Sequence, residues 1–222
     1  MNTAPALAPA RLPLRHLLVY VNPSSDSFNR AMVETYSKEA EVRGQDVVVR
    51  DLYAMNFDPV LRAEERPLHD AWTSSPDVAA ELALLMSCDI LVLIYPIWFG
   101  LPPAMLKGYV DRVLGAGYSF RDMVGQVGQH ALKGKPLLSF STSGTSHPWL
   151  DAQGQEVSLR EIFDVYLWRG FAMKQSEHIM IDNVVPNISA HYAAEQLERV
   201  RQTAERMCAT LADQRAPCAA DG

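Results

Sequence analysis

Residues 89–95 read DILVLIY, and residues 95–113 continue as YPIWFGLPPAMLKGYVDRV. The first run is apolar throughout, which is typical of a parallel β-strand that is covered on both faces. The second run leaves the strand at Pro96 and restores an apolar stripe with helical spacing after Pro103, since proline is tolerated at the first helical position. This stretch therefore predicts a buried strand, an aromatic loop and a helix, which is the repeating unit of an α/β fold.

The same alternation extends to both sides of this unit. Strands are predicted at residues 16–21, 46–50, 89–95, 135–141 and 178–181, and helices at residues 27–43, 77–87, 103–114, 157–169 and 190–211. Residues 56–76 contain three prolines and no clear period, so we expect a long surface excursion there. Five strands that alternate with helices predict an α/β three-layer sandwich, with a five-stranded parallel sheet and helices on both faces.

Composition and charge exclude several classes of protein. The 222 residues are 48% hydrophobic and 21% charged, which is ordinary for a globular protein. The net charge of −6 argues against nucleic acid or an anionic membrane as a partner, and no apolar run approaches the roughly 20 residues of a membrane-spanning helix. The three cysteines lack disulfide, metal or redox spacing, which fits a cytoplasmic location. The histidines form no H-x-x-x-H pair, so no metal site is expected.

The chain is divided into one domain and two ends. Residues 1–15 are rich in alanine and proline and predict a disordered leader, with a transit peptide as the alternative. Residues 16–212 form the predicted domain. Residues 213–222 lose the helical pattern and predict a flexible tail.

Three connections that follow predicted strands have unusual compositions. In parallel α/β sheets, ligands bind beyond the carboxyl ends of the strands. Residues 22–29 (NPSSDSFN) offer hydroxyls and helix-start N–H groups to a phosphate, although Asp26 or Ser27 as a plain helix cap explains them equally well. Residues 95–103 place Trp98 and Phe99 where a flat conjugated ring could rest, with a hydrophobic plug or a dimer contact as the alternative. Residues 141–145 (STSGT) offer donors, or form an ordinary turn.

The run at residues 95–113 resembles the flavodoxin-like NAD(P)H:quinone oxidoreductase family. That family has a loop with proline, a hydrophobic residue and aromatics, then P-A-x-L-K-G-aromatic and an acidic-Arg-Val run. Residues 51–59 (DLYAMNFDP) are similar to the family's segment after its second strand, and residues 27–29 (SFN) to its flavin-phosphate loop. The resemblance covers roughly residues 16–182.

This resemblance implies a flavodoxin-like fold, a non-covalently bound flavin and a ping-pong reaction. FAD is the expected cofactor and FMN the alternative; NAD(P)H would deliver a hydride to flavin N5, and a quinone-like acceptor would then take two electrons. It further implies a homodimer with the site at the interface, Trp98 and Phe99 beside the ring, and residues 142–144 at its polar edge. The implied cofactor-binding residues are Asn22, Ser25, Ser27, Phe28, Asn29, Pro96, Ile97, Trp98, Phe99, Thr142, Ser143 and Gly144.

The sequence departs from the family where its best-known members have a tyrosine and a histidine that relay a proton. Trp149 and Gln155 stand at those positions, and a glutamine cannot act as a general acid near neutral pH. His147 is a nearby substitute, so the candidate catalytic residues are Trp98, Phe99, Trp149 and His147.

Lys107 and Arg112 are expected on the solvent side of their helix or paired with Asp111, with contact with a partner subunit as the functional alternative. The alternative functions are a regulatory flavoprotein subunit of a membrane transporter, an azo- or nitro-compound reductase, and a one-electron carrier.

Overall fold

The computed structural model describes residues 12–66, 73–119 and 130–215. Five parallel strands form one sheet in the order β2-β1-β3-β4-β5, so the order reverses between β1 and β3. The strands are β1 Arg15–Tyr20, β2 Asp46–Asp51, β3 Ile90–Pro96, β4 Leu137–Thr142 and β5 Ser176–Ile181. The prediction of a five-stranded parallel sheet is confirmed.

Helices cover both faces of this sheet. They are α1 Phe28–Val42, α2 Pro76–Ser87, α3 Ala104–Tyr109, α4 His147–Ala152, α5 Gln155–Leu159, α6 Tyr166–Gly170 and α7 Ala190–Arg215. Two π-helical turns interrupt the regular pattern: Val110–Leu114 continues α3, and Arg160–Val165 joins α5 to α6. None of the described helices is both long and apolar enough to cross a membrane.

Alternate residues of each strand divide the core into two layers. Leu18, Val92 and Phe140 pack on α1 and α7, whereas the neighbouring strand positions pack on α2, α3 and the helices after β4. Because side chains alternate across a strand, a continuously apolar sequence is needed to fill both layers. This packing confirms the three-layer α/β sandwich.

The domain extends beyond both predicted ends. Arg15, assigned to the leader, belongs to β1, since it pairs in register with Asp46 and its N–H donates to Asp89 over 2.8 Å. Helix α7 continues to Arg215 although its buried face ends at Leu211. The apolar pattern marks the end of packing, whereas the backbone hydrogen bonds continue for another turn. Within the predicted leader and tail, residues 1–11 and 216–222 lie outside the described residues.

The described parts of the 56–76 excursion are held against α3. A Cβ on Gly108 would lie 2.3–2.5 Å from atoms of Pro59, so the close approach of these two segments requires a glycine. Arg112 is only 4% exposed, and its guanidinium packs over the Phe57 ring and donates to Glu65 at 2.7 Å. The expected solvent position of Arg112 is therefore wrong, because the π-turn directs it inward. Lys107 pairs with Asp111 as expected.

The ion pair between Glu65 and Arg112 makes stability sensitive to acid. Hydrogen bonds from Arg112 lower the pKa of Glu65 to about 2. This pKa is below the unfolded value of about 4.3, so the carboxylate stabilises the fold above that pH and the effect is lost as pH falls towards 2.

We expect E65Q to lower the free energy of unfolding by about 2 kcal/mol at pH 7 and to flatten its decline between about pH 4.5 and pH 2. Urea unfolding across this range measures both effects. The control is E177Q, which breaks the more exposed pair of Glu177 and Arg206. Equal losses in the two variants would contradict a special role for the buried pair.

Candidate active site

A cavity of about 560 Å³ opens at the carboxyl edge of the sheet, beside the point where the strand order reverses. The loops after β1, β3, β4 and β5 surround it. Its lining residues are Asn22, Asp26, Ser27, Phe28, Asn29, Ala31, Pro96, Ile97, Trp98, Thr142, Gly144, Val184, Val185, Pro186 and Ile188. Ligands of open α/β sheets bind at such reversals, and this volume suits a cofactor.

The loop after β1 is fixed by hydrogen bonds at the start of α1. Ser27 caps this helix, since its hydroxyl accepts from the N–H of Arg30 at 3.2 Å. The buried Tyr20 shares a 2.9 Å hydrogen bond with the Ser27 hydroxyl and donates to the carbonyl of Ser24. Ser27 is therefore both a helix cap and a wall of the cavity, so the two interpretations of this loop are compatible.

Asn29 connects this loop to β4. Its Oδ1 accepts from Nδ2 of Asn22 and from the hydroxyl of Thr142, both at 3.1 Å. Its own Nδ2 is buried and has no hydrogen-bond partner among the described residues. A buried donor without a partner costs free energy, so this group calls for an acceptor in the cavity.

The aromatic loop after β3 forms a tight two-residue turn. Trp98 and Leu101 exchange backbone hydrogen bonds of 3.0 and 3.1 Å, and φ is +50° at Phe99 and +83° at Gly100. Positive φ at both central residues is typical of a type I′ turn, and it is unfavourable for phenylalanine. The turn places Trp98 in the cavity wall and leaves the Phe99 ring fully exposed.

The turn after β4 presents Thr142 and Gly144 to the cavity. Ser143 points away, since it is buried and its hydroxyl accepts from the N–H of Thr145. A Cβ on Gly144 would lie 3.6 Å from the nearest protein atom, the Val184 carbonyl oxygen, so the fold itself does not require a glycine here. The space in front of Gly144 is therefore open for a ligand.

Asp182 braces the turn after β4 against the loop after β5. It accepts from the N–H of His147 and from the hydroxyl of Tyr192, each at 2.7 Å. Burial alone would raise the pKa of Asp182, but these hydrogen bonds outweigh it and lower the pKa below its usual value. The same brace holds Val184, whose N–H donates to the carbonyl of Ser143.

Five predicted site residues do not line the cavity. Ser25 lies in the exposed turn before α1, Phe99 is at the tip of its turn, and Ser143 is turned inward. His147 and Trp149 lie on α4, about 59% and 52% exposed. Hydrogen bonding at the backbone of His147, together with the charge of Glu156, raises the pKa of His147.

The sequence prediction missed the loop after β5 and the contact of Tyr20 with Ser27 in the loop after β1. Residues 184–188 form one wall of the cavity, and Tyr20 anchors Ser27. The loop after β5 could have been included, because all parallel strands end at the same edge. The contact between Tyr20 and Ser27 has no sequence signal beyond a polar tip on a buried strand residue.

The residues that line the cavity fit a ligand with a phosphate group at one end and a flat ring at the other. The free Nδ2 of Asn29 and the amino end of α1 supply donors for a phosphate, and Trp98 and Ile97 supply an apolar wall for a ring. Among the described residues, no group of three or more His, Cys, Asp and Glu side chains is placed to hold a metal ion.

Comparison with known proteins identifies the family. A family model described as the flavodoxin-like fold matches residues 15–206. An uncharacterized NAD(P)H oxidoreductase of Haemophilus influenzae is 36% identical over 135 residues, which cover 60% of this chain and 66% of that protein. Ribosyldihydronicotinamide dehydrogenase (quinone) of Rattus norvegicus is 32% identical over 170 residues, which cover 68% and 71%. The chain thus spans about two thirds of the length of these relatives.

A solved structure shows the same fold. The NAD(P)H:quinone oxidoreductase from Methanothermobacter marburgensis superimposes with a TM-score of 0.77 over 88% of this chain and 96% of that one, at 24% identity. The matched family model, the two relatives and the order of the strands all indicate the same family and fold. The chain therefore belongs to the NAD(P)H:quinone oxidoreductase family of flavodoxin-like proteins.

Proposed function

We propose that this protein is a flavin-dependent NAD(P)H oxidoreductase that reduces quinones or similar acceptors by two electrons in a ping-pong cycle. The observation that supports this most is the buried, unpartnered Nδ2 of Asn29, a residue that lines the cavity at the start of α1, together with the aromatic wall at Trp98. A regulatory subunit would need the same cofactor but no access for NAD(P)H and an acceptor. The open mouth beside Trp98 and Phe99 favours the enzyme.

Two sets of residues would hold the flavin. Ser27, Phe28 and Asn29 lie at the phosphate end, where neutral donors and the amino end of α1 offset the phosphate charge. At the ring, Pro96, Ile97 and Trp98 form the apolar wall. Thr142 and the backbone at Gly144 provide the polar edge. The bound flavin supplies the redox chemistry, accepting a hydride from NAD(P)H and passing two electrons to the acceptor.

The remaining residues would orient the reactants and exclude water. Thr142 cannot rotate freely because its hydroxyl is committed to Asn29, so the polar edge is preorganised. The exposed Phe99 ring is available to cover an incoming ring. His147 and Trp149 lie on α4, outside the lining of the cavity, and stay predictions as catalytic residues. Ser25 and Ser143 do not line the cavity and stay predictions as cofactor-binding residues.

FAD is our proposed cofactor, with FMN as the alternative. The cavity is lined at the start of α1 by Asp26 and Ala31 and after β5 by Pro186 and Ile188. The preference for FAD comes from the resemblance of residues 51–59 to the family's segment after its second strand. Mass spectrometry of the released flavin distinguishes the two. A cytoplasmic location stays a prediction.

We also propose a homodimer with the site at its interface. Phe99, Leu101, Val157, Ile162 and Tyr166 are large apolar side chains with between 48 and 107% exposure. Ile162 and Tyr166 rim a groove of about 500 Å³ between the π-turn after α3 and the helix pair α5–α6. Large exposed apolar side chains beside a groove are typical of an interface.

The proposed reaction has a direct test. We expect the purified protein to be yellow, or to become so on addition of FAD or FMN, and to be bleached rapidly by NADH or NADPH in a stopped-flow instrument. Addition of a quinone should restore the colour and sustain turnover. Slow reduction by both nucleotides, with no acceleration by quinone, would overturn the enzyme assignment.

The phosphate end of the site is tested by N29D. Aspartate retains the oxygen that accepts from Asn22 and Thr142 but replaces the donor with a negative charge facing the phosphate. We expect flavin affinity to fall by roughly 10- to 100-fold, measured by fluorescence titration, with thermal stability preserved. N56D, in the exposed turn after β2, makes the same charge change and should bind normally. Equal affinities of the two variants would contradict the assignment.

The interface is tested by I162E. Sedimentation velocity should show a dimer for the unmodified protein and at least about a tenfold weaker dimer for I162E, because a charge would be buried against apolar groups. V42E is the matched control, since Val42 is 76% exposed at the end of α1, where no contact is proposed. A monomer in the unmodified protein, or equal weakening by V42E, would contradict the dimer.

A further inference from the structure

Asp26 is the only ionisable side chain among the described residues that line the cavity. It stands directly before Ser27, the cap of α1, and therefore at the phosphate end of the proposed flavin site. Its side chain is exposed, and none of the described residues donates to its carboxylate or pairs with it. A carboxylate at this place opposes a bound anion, so it bears on which phosphate the site accepts.

Asp26 lacks a compensating cation in the part of the chain that the structure describes. The described lining of the cavity contains no lysine, arginine or histidine. Arg30, the nearest cation in the sequence, lies outside the lining and pairs with Glu34 at 3.1 Å and with Asp51 at 3.7 Å. Tyr20, which bonds to the cap of α1, is neutral because burial raises its pKa above the usual value.

Among the described elements around the cavity, the other loops add no ionisable side chain. The loops after β3, β4 and β5 contribute apolar side chains, the Thr142 hydroxyl and backbone groups. Asp182, behind the loop after β5, accepts from the hydroxyl of Tyr192 and from the N–H of His147. The imidazole of His147 pairs with Glu156 at 3.3 Å, and both side chains are exposed. The charge at the phosphate end is therefore set by Asp26 and the start of α1.

The start of α1 can balance one negative charge only in part. A helix start is equivalent to about half a positive elementary charge, and the Asn29 amide adds a donor without charge. A phosphate monoester has its second pKa at about 6, so the FMN phosphate carries nearly two negative charges above neutral pH. In FAD the two charges lie on separate phosphates, so only one of them has to face the start of α1. The second charge of the FMN phosphate would lie beside Asp26 without a cation.

We propose that Asp26 makes this site select a phosphate that carries a single negative charge at the start of α1. This inference rests on the proposed function and adds a charge preference to it. FAD would then bind in one ionisation state throughout the neutral range. FMN would bind with its phosphate singly protonated, so its binding would take up one proton from solution wherever the free phosphate is doubly charged.

The two cofactors should therefore differ in the pH dependence of their binding. Uptake of one proton weakens FMN binding by up to about tenfold for each pH unit above the phosphate pKa of about 6. FAD affinity should be nearly constant over the same range, because its phosphates do not titrate there. D26N keeps the size of the side chain but removes its charge, so FMN affinity should depend less on pH in this variant.

Fluorescence titration of the flavin-free protein at about pH 5.5 and about pH 8, on either side of the phosphate pKa, tests this preference. For FMN we expect at least about a fivefold loss of affinity between the two pH values, and for FAD less than about a twofold change. In D26N the loss for FMN should shrink to less than about twofold. Riboflavin, which has no phosphate, controls for effects of pH on the ring and its pocket.

D213N is the matched control variant. Asp213 is exposed near the end of α7, where Arg215 bonds to the carbonyl of Leu12 before β1, and its replacement removes the same charge. This variant should keep the pH dependence of the unmodified protein. A second measurement is ³¹P NMR of the FMN-loaded protein. The bound phosphate should titrate at least about half a pH unit above free FMN, and its midpoint should fall in D26N.

The outcomes separate this inference from the proposed function. An FMN affinity that does not change with pH, a bound phosphate that titrates like free FMN, or equal responses of D26N and D213N would overturn this inference alone. Failure of FAD, FMN and riboflavin to bind would overturn the proposed function and this inference together.

Discussion

The side-chain amide of Asn29 is the interaction on which the site depends. Its oxygen accepts from a residue after β1 and from the last residue of β4, so the first turn of α1 is tied to two strand ends. Both bonds use the amide oxygen, so its nitrogen is left without a hydrogen-bond partner among the described residues. If the Asn29 nitrogen donated to another protein group, binding of an anion would no longer relieve the cost of an unsatisfied buried donor.

The fold places this group through the order of its strands. Because the chain passes from β1 to β2 on one side and returns to β3 on the other, the loops after β1 and β3 part and leave a crevice. The P-A-x-L-K-G motif and the acidic-Arg-Val run that follows it contribute to the cavity only indirectly. Gly108 lets Pro59 approach α3, and Arg112 pairs with Glu65, so the motif secures the segment after β2 rather than contacting the cavity.

The layers, the strand positions and most of the cavity could be predicted from the sequence, because continuous apolar runs and loop composition are local signals. The buried position of Arg112 could not be predicted, since it depends on a π-turn and on acidic partners far away in the chain. The fully exposed Phe99 depends on the turn type, which brings positive φ to a residue that normally avoids it. The 2.7 Å hydrogen bond between His178 of β5 and Asp164 of the π-turn before α6 could not be predicted either, because it depends on how that turn packs on the sheet.

A crystal structure of the flavin-soaked protein tests the central claim most directly. We predict that a phosphate oxygen lies within about 3 Å of Asn29 Nδ2 and that the ring lies against Trp98. Flavin bound instead in the groove between α3 and α5–α6, or a phosphate that leaves the Asn29 amide without a partner, would contradict it.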